Sequence, residues 1–123
     1  MSPIKNMART VTTDLELRGR RLHEGDQVML FYPSANRDEE VFDRADELDL
    51  TRDPNPHLAF GFGPHFCLGA SLARLELRVM FRELLTRLPD LELAGDEPLP
   101  YRPSNFICGL EAMPVRFTPR SAT

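Results

Sequence analysis

The sequence predicts an α+β fold in which short strands surround one long helix. Runs of β-branched and apolar residues of strand length open the chain, Leu68 to Leu88 repeats apolar residues at helical spacing, and strand signals return near the end. Eleven prolines in 123 residues separate these elements with irregular but ordered chain.

Thr10 to Leu17 is rich in β-branched residues and reads as a strand that Gly19 interrupts. His23 to Asp26 reads as a turn, and Gln27 to Tyr32 as a second strand that completes a hairpin with the first. Ser34 to Asp38 offers several N-cap side chains, which places a short helix at Glu39–Phe42. From Asp43 to His57 the chain is rich in acids and interrupted by Pro54 and Pro56, and it reads as a loop. His57 there is expected to be a structural hydrogen-bonding residue. The helix at Leu68–Leu88 carries two adjoining apolar stripes, Leu68, Leu72, Leu75 and Val79 beside Leu77, Phe81, Leu84 and Leu88. An arc that broad predicts neighbours on more than one side. Glu83 and Arg87 are spaced for an ion pair, and Pro89 ends the helix. Beyond the turn at Gly95–Pro98, the runs Pro100–Pro103, Asn105–Leu110 and Val115–Phe117 predict a terminal hairpin that turns near Cys108-Gly109.

Composition removes several classes of function. A net charge of −4 and a pI near 5.3, with no basic cluster free of interspersed acids, argue against a nucleic-acid surface. No apolar run reaches transmembrane length and Met1 to Arg9 lacks a signal-peptide core, so the chain reads as soluble and cytoplasmic. In a reducing compartment its two cysteines are expected to be free thiols.

The chemistry concentrates in Phe60-Gly61-Phe62-Gly63-Pro64-His65-Phe66-Cys67-Leu68-Gly69, which places a lone cysteine at the mouth of the long helix. Gly61, Gly63 and Gly69 allow backbone conformations and close approaches that a Cβ would block, and Pro64 stiffens the loop. Loop amides and the helix start favour a thiolate, which is either a nucleophile, with His65 as its base, or a metal ligand. Zinc calls for three or four ligands at short spacing, but Cys67 and Cys108 are the only cysteines and no C-x-x-C is present. One thiolate in an aromatic, glycine-rich loop fits a single axial bond to haem iron better than a protein-built cage.

Phe60-x-x-Gly63-x-x-x-Cys67-x-Gly69, extended by His65 and by Ala70 to Glu76, resembles the haem-binding signature of the cytochrome P450 superfamily, the haem-thiolate monooxygenases. Arg9 through Phe42, with its phrase Ser34-Ala35-Asn36-Arg37-Asp38, resembles the same family. The resemblance implies the C-terminal, haem-binding part of a mainly-α fold, made of hairpin, meander, cysteine loop, long helix and terminal hairpin. It implies haem b as cofactor and Cys67 as axial ligand of its iron. Phe60, Gly61, Gly69 and Ala70 would line the macrocycle, with Arg9 and His65 partnering its propionates. The implied reaction inserts one oxygen atom from O2 into an apolar substrate, with electrons from a ferredoxin and an NAD(P)H-dependent reductase docking near Arg74 and Arg78.

The segments Pro3–Thr10, Arg102–Phe106 and Gly109–Pro114 resemble bacterial members that oxidise a sterol side chain. This implies a sterol or fatty-acid substrate contacting Ile4, Met7, Phe106 and Ile107. Neither the Glu-x-x-Arg pair nor the Ala-Gly-x-x-Thr segment of the family is found. The expectation is therefore that residues 1–123 form an incomplete C-terminal portion of a P450 domain. Two alternatives stay open: an inactive haem-binding fragment or truncated gene product, and a thiol enzyme or interaction domain using Cys67 and His65.

Overall fold

The computed structural model describes residues 2–119. It separates into two compact units, 2–61 with Ser104–Cys108, and Phe62–Pro103 with 109–119.

The first unit contains strands β1 (Asn6–Thr10), β2 (Leu15–Leu17), β3 (Arg20–Leu22) and β4 (Gln27–Phe31), then a single helical turn, α1 (Tyr32–Ala35). β1 pairs antiparallel with β4, from Asn6 opposite Phe31 to Thr10 opposite Gln27. β2 pairs with β3 across Arg18 and Gly19, both at positive φ (47° and 73°), the backbone of a tight two-residue hairpin. The expected strand over Thr10–Leu17 is therefore corrected. Thr10 ends β1, but residues 11–14 leave the ladder because Asp14 accepts hydrogen bonds from the Glu24 N–H (2.9 Å) and from Arg21 (3.3 Å). Val11 meanwhile exchanges main-chain bonds with Gly25 and Asp26. Those local bonds outweigh a β propensity that is weak outside a packed sheet.

The helix expected at Glu39–Phe42 lies about two turns earlier, at α1. Pro33 pre-sets the first helical turn, and Asn36 is the C-cap rather than an N-cap, its N–H donating to the Tyr32 carbonyl. Asp38 then folds the chain into turns by accepting the Glu40 N–H at 3.0 Å. Val11, Tyr32 and Phe42 supply this unit's buried apolar side chains.

The loop expected over Asp43–His57 is irregular, as its prolines require. Two arginines brace it. Arg44 binds Glu47 and Asp49, each at 3.0 Å. Arg52 donates to the carbonyls of Asp43 (2.7 Å) and Arg44 (3.3 Å), with its guanidinium 5.7 Å from the Phe42 ring centre.

The second unit begins with a 3₁₀ turn at Gly63–His65 and continues as helix α2 (Ala70–Arg87), strand β5 (Glu92–Leu93) and strand β6 (Val115–Arg116). α2 matches the expected helix to within two residues at either end. The expected Glu83–Arg87 pair forms at 2.9 Å, worth about 0.2–0.5 kcal/mol on an exposed helix face. The expected covering neighbours are another matter: Leu72, Leu75, Leu77, Val79, Phe81 and Leu85 are all exposed, and Ala70 is the buried residue of the helix.

The terminal hairpin is also corrected. Val115–Arg116 pairs with Glu92–Leu93, reinforced by an Arg116–Glu92 ion pair at 2.7 Å. Tyr101 bridges Leu110, with the Arg102 N–H donating to the Gly109 carbonyl and the Glu111 N–H to that of Pro100. Gly109 is thus a ladder residue, and the turn is the longer tip at 103–108.

Asp49 yields a pH prediction. The Thr51 hydroxyl (2.7 Å) and N–H (2.8 Å) donate to its carboxylate, and with the Arg44 and Arg52 charges they hold its pKa below the ordinary 3.8. A depressed carboxylate supports the folded loop above its unfolded pKa, and this support fades as pH falls through the folded value. An NMR titration should place the Asp49 midpoint below 3.8, and Thr51→Val should move it upward.

Candidate functional site

Cys67 lies between two local structures that fix its backbone. Before it, the Phe66 N–H closes the 3₁₀ turn onto the Gly63 carbonyl at 2.9 Å, with Pro64 in the first turn and Gly63 at φ 67°. After it, the Ala70 N–H donates to the Cys67 carbonyl at 3.2 Å, and Gly69 is the N-cap of α2. Among the described residues the Leu68 and Gly69 amides have no oxygen acceptor. These are the donors next in sequence to the sulfur, and they are free to serve it.

The thiol is free and exposed. The glycines around it divide by purpose. Gly61 and Gly63 sit at positive φ (73° and 67°), where L side chains are strained. Gly69 has an ordinary φ of −82°, so its conformation is open to other residues. A Cβ there would lie 3.9 Å from Cys67 Sγ, an ordinary van der Waals contact, so a side chain at this position would sit beside the sulfur. Phe62, 82% exposed, and Phe66 and Leu68 also present apolar surface, whereas Ala70 is 2% exposed and seats the helix start.

His65 ends the 3₁₀ turn and is exposed. Among the described residues no hydrogen bond joins its imidazole to the Cys67 thiol, so the nucleophile–base dyad is not assembled. No three His, Cys, Asp or Glu side chains among the described residues gather into a metal-binding group. Iron held at Cys67 must therefore bring its other ligands with it. One accessible sulfur, two unused amides, a side-chain-free position at Gly69 and an apolar surround fit a flat macrocycle bound through a single axial thiolate.

The remaining expected residues belong to the first unit. Phe60 is half-buried and its ring tilts 49° against His57, with centroids 5.9 Å apart. His57 Nδ1 accepts the Ala59 N–H at 3.2 Å, a structural hydrogen bond of the expected kind. Arg9 lies in β1 opposite Val28 and shares a strand face with Met7 by alternation, and its guanidinium donates to the Ala8 carbonyl at 2.8 Å. Ile4 and Ile107 meet as an antiparallel bridge, while Met7, Phe106 and Ile107 are exposed. A cavity of about 350 Å³ in this unit is lined by Asn36, Phe42, Arg52 and His57 among others, and none of Ile4, Met7, Phe106 and Ile107 borders it.

Four residues here make contacts that no sequence signal announced. Asn36 donates to the hydroxyl of the fully buried Ser2 (2.8 Å) and accepts the Leu58 N–H (2.7 Å), tying the start of the cysteine-bearing segment to the chain's first residues. Lys5 and Asn6 donate to the carbonyls of Ser104 and Asn105, and Ser104 accepts in turn from Phe106 and Ile107. Each contact joins positions far apart in sequence or depends on a hydroxyl rotor.

The cytochrome P450 family model matches residues 1–112. Over 118 residues the chain is 57% identical to a steroid C26-monooxygenase of Mycolicibacterium smegmatis, covering 96% of this chain and 29% of that protein. Over 117 residues it is 50% identical to cytochrome P450-terp of a Pseudomonas species, covering 95% and 27%. Among solved structures it superposes on P450BioI, in complex with acyl carrier protein carrying hexadec-9Z-enoic acid, with a TM-score of 0.90 at 44% identity, covering 95% of this chain and 30% of that one. CYP109E1 of Bacillus megaterium in complex with testosterone gives 0.88 at 39% identity, covering 94% and 32%. The fold and cysteine loop are thus those of haem-thiolate proteins. The chain belongs to the cytochrome P450 family, whose cofactor is haem b, and it spans roughly 30% of the length of the relatives it matches. No helix among the described residues is long and apolar enough to cross a membrane.

The exposure of the two thiols gives a direct test of this geometry. Cys67 should react with a bulky maleimide faster than the half-buried Cys108. Gly69→Leu should slow the labelling of Cys67 severalfold, while Gly95→Leu, at a site with open space, should leave it unchanged.

Proposed function

We propose that residues 1–123 form the cysteine-ligand portion of a cytochrome P450 monooxygenase and that the Cys67 thiolate is the axial ligand of haem iron. The observation that carries this is the exposed Cys67 sulfur, held between the Gly63–His65 turn and α2, with unused amides beside it and no side chain at Gly69. When bound, haem supplies activation of O2 and insertion of one oxygen atom into an apolar C–H bond. The Leu68 and Gly69 amides would donate to the sulfur and stabilise its charge. Arg9 and His65 would donate to the propionates, with Phe60, Gly61 and Ala70 against the macrocycle.

The exposed apolar arc of α2 supports the view that these residues belong to a larger P450 domain that buries it, since a soluble chain rarely exposes so wide an apolar stripe. The substrate we assign is a sterol side chain, or the similar chain of a fatty acid. Relatives include the steroid C26-monooxygenase above and a methyl-branched lipid omega-hydroxylase of Mycobacterium bovis, 51% identical over 118 residues. Ile4, Met7, Phe106 and Ile107 are our candidates for contact with that substrate. Electrons would come from a ferredoxin and an NAD(P)H-dependent reductase in the cytoplasm, steered by exposed Arg74 and Arg78.

Haem reconstitution tests the ligand. After reduction and addition of carbon monoxide, the chain should show the red-shifted Soret band of thiolate ligation. Cys67→Ser should remove that band and Cys108→Ser should leave it. Hydroxylation of cholestenone by the 123-residue chain alone should be negligible, because these residues present only one wall of an apolar site and leave the iron open to water. A band that survives Cys67→Ser would overturn the ligand assignment.

A further inference from the structure

The hairpin tip at Ser104–Cys108 has no regular strand of its own and is instead bound to the chain's opening residues. The Lys5 N–H donates to the Phe106 carbonyl at 2.8 Å and the Cys108 N–H to the Pro3 carbonyl at 2.7 Å, flanking the Ile4–Ile107 bridge. Main-chain bonds of this kind hold the edge and carry little sequence information. Side chains complete it. Lys5 Nζ donates to the Ser104 carbonyl at 2.6 Å in a partly buried setting, and Asn6 Nδ2 donates to the Asn105 carbonyl at 3.0 Å. The Ser104 hydroxyl accepts from both the Phe106 N–H (3.2 Å) and the Ile107 N–H (3.1 Å). Carbonyls 104 to 106 and amides 106 to 108 of the tip are thereby all paired.

Lys5 is the unusual member of this set. Among the described residues its ammonium has no carboxylate partner, and its hydrogen bond is to a main-chain carbonyl 99 positions away. A partly buried ammonium spent on a carbonyl is costly to hold unless the position of that carbonyl matters. Its consequence is mechanical. Fixing Ser104 fixes the hydroxyl that orients the Phe106 and Ile107 amides, and hence the side chains of both residues.

We propose that Lys5 and Ser104 are positioning residues that lock the Ile4–Ile107 edge and so set which elongated apolar molecule the site accepts. This rests on the substrate reading given above, in which Ile4, Phe106 and Ile107 contact that molecule. A rigid edge discriminates a broad ring system from a thin flexible chain by shape, whereas a loosened tip repacks around either one.

The test uses the haem-loaded enzyme that carries this chain, with cholest-4-en-3-one and palmitic acid as probes and equilibrium dialysis for both dissociation constants. Lys5→Met should bring the ratio of the two constants closer to one by about tenfold, the scale of one charge-assisted hydrogen bond. Lys5→Arg, which keeps a charged donor of similar reach, should restore it. Hydrogen exchange at the Phe106, Ile107 and Cys108 amides should quicken in Lys5→Met and in Ser104→Ala but not in Lys5→Arg. Ser104→Ala, which removes only the hydroxyl, supplies the same comparison if Lys5→Met does not fold. A ratio within about twofold of the unsubstituted enzyme despite faster exchange, or Lys5→Arg behaving as Lys5→Met, would overturn the proposal. Neither dialysis nor exchange depends on the iron ligand, so a missing thiolate signature would sink the Cys67 assignment separately.

Discussion

Haem ligation by Cys67, as proposed, asks that one sulfur be open to a flat ligand on one side and held on the others. The local structure of the second unit meets that demand. Openness comes from the exposure of the thiol itself, with no side chain at Gly69 beside Cys67 Sγ. Immobility comes from the chain on either side, a 3₁₀ turn closed by the Phe66 N–H and a helix that begins three residues after the cysteine. The same start of α2 leaves the Leu68 and Gly69 amides unspent. Both lie on solvent-exposed residues, and in the proposed role they would turn to a thiolate at Cys67.

The first unit solves a different problem, that of holding irregular chain in a fixed shape. With few long strands or helices, it relies on side chains that satisfy main-chain groups. Arg52 donates to two carbonyls and packs on Phe42, and Asn36 joins Ser2 to Leu58. Removing Asn36 would strand partly buried polar groups, a larger penalty than the loss of an exposed ion pair. The tip at Ser104–Cys108 follows the same logic, with Lys5 and Asn6 in the bracing role. The shape of this unit thus depends on polar side chains that bond main-chain groups.

Local chemistry was legible in the sequence wherever one short segment determined the outcome. The spacing of glycine, histidine and cysteine located the loop, apolar periodicity located α2 to within two residues, and Glu83 with Arg87 announced their own ion pair. Pairing was not legible. Thr10–Leu17 reads as one strand because its residues favour β structure, but Asp14 pulls the chain out of the ladder and β1 forms upstream, over residues with less β character. Cys108-Gly109 reads as a turn because glycine permits one, but Gly109 accepts a ladder hydrogen bond from Arg102. Neither choice follows from residue propensity alone. The first turns on hydrogen bonds to the Asp14 side chain, and the second on the backbone that Gly109 meets. For the same reason Cys67 could be singled out by motif, while Lys5 and Ser104, joined across 99 positions, could not.

The central claim is that one particular sulfur, that of Cys67, binds the iron. Iron-edge X-ray absorption of the haem-loaded chain reads this without reference to carbon monoxide or turnover. The account predicts one sulfur scatterer at bonding distance, retained in Cys108→Ser and lost in Cys67→Ser. A spectrum that shows only nitrogen and oxygen ligands in the unsubstituted chain, or a sulfur that persists in Cys67→Ser, would contradict it.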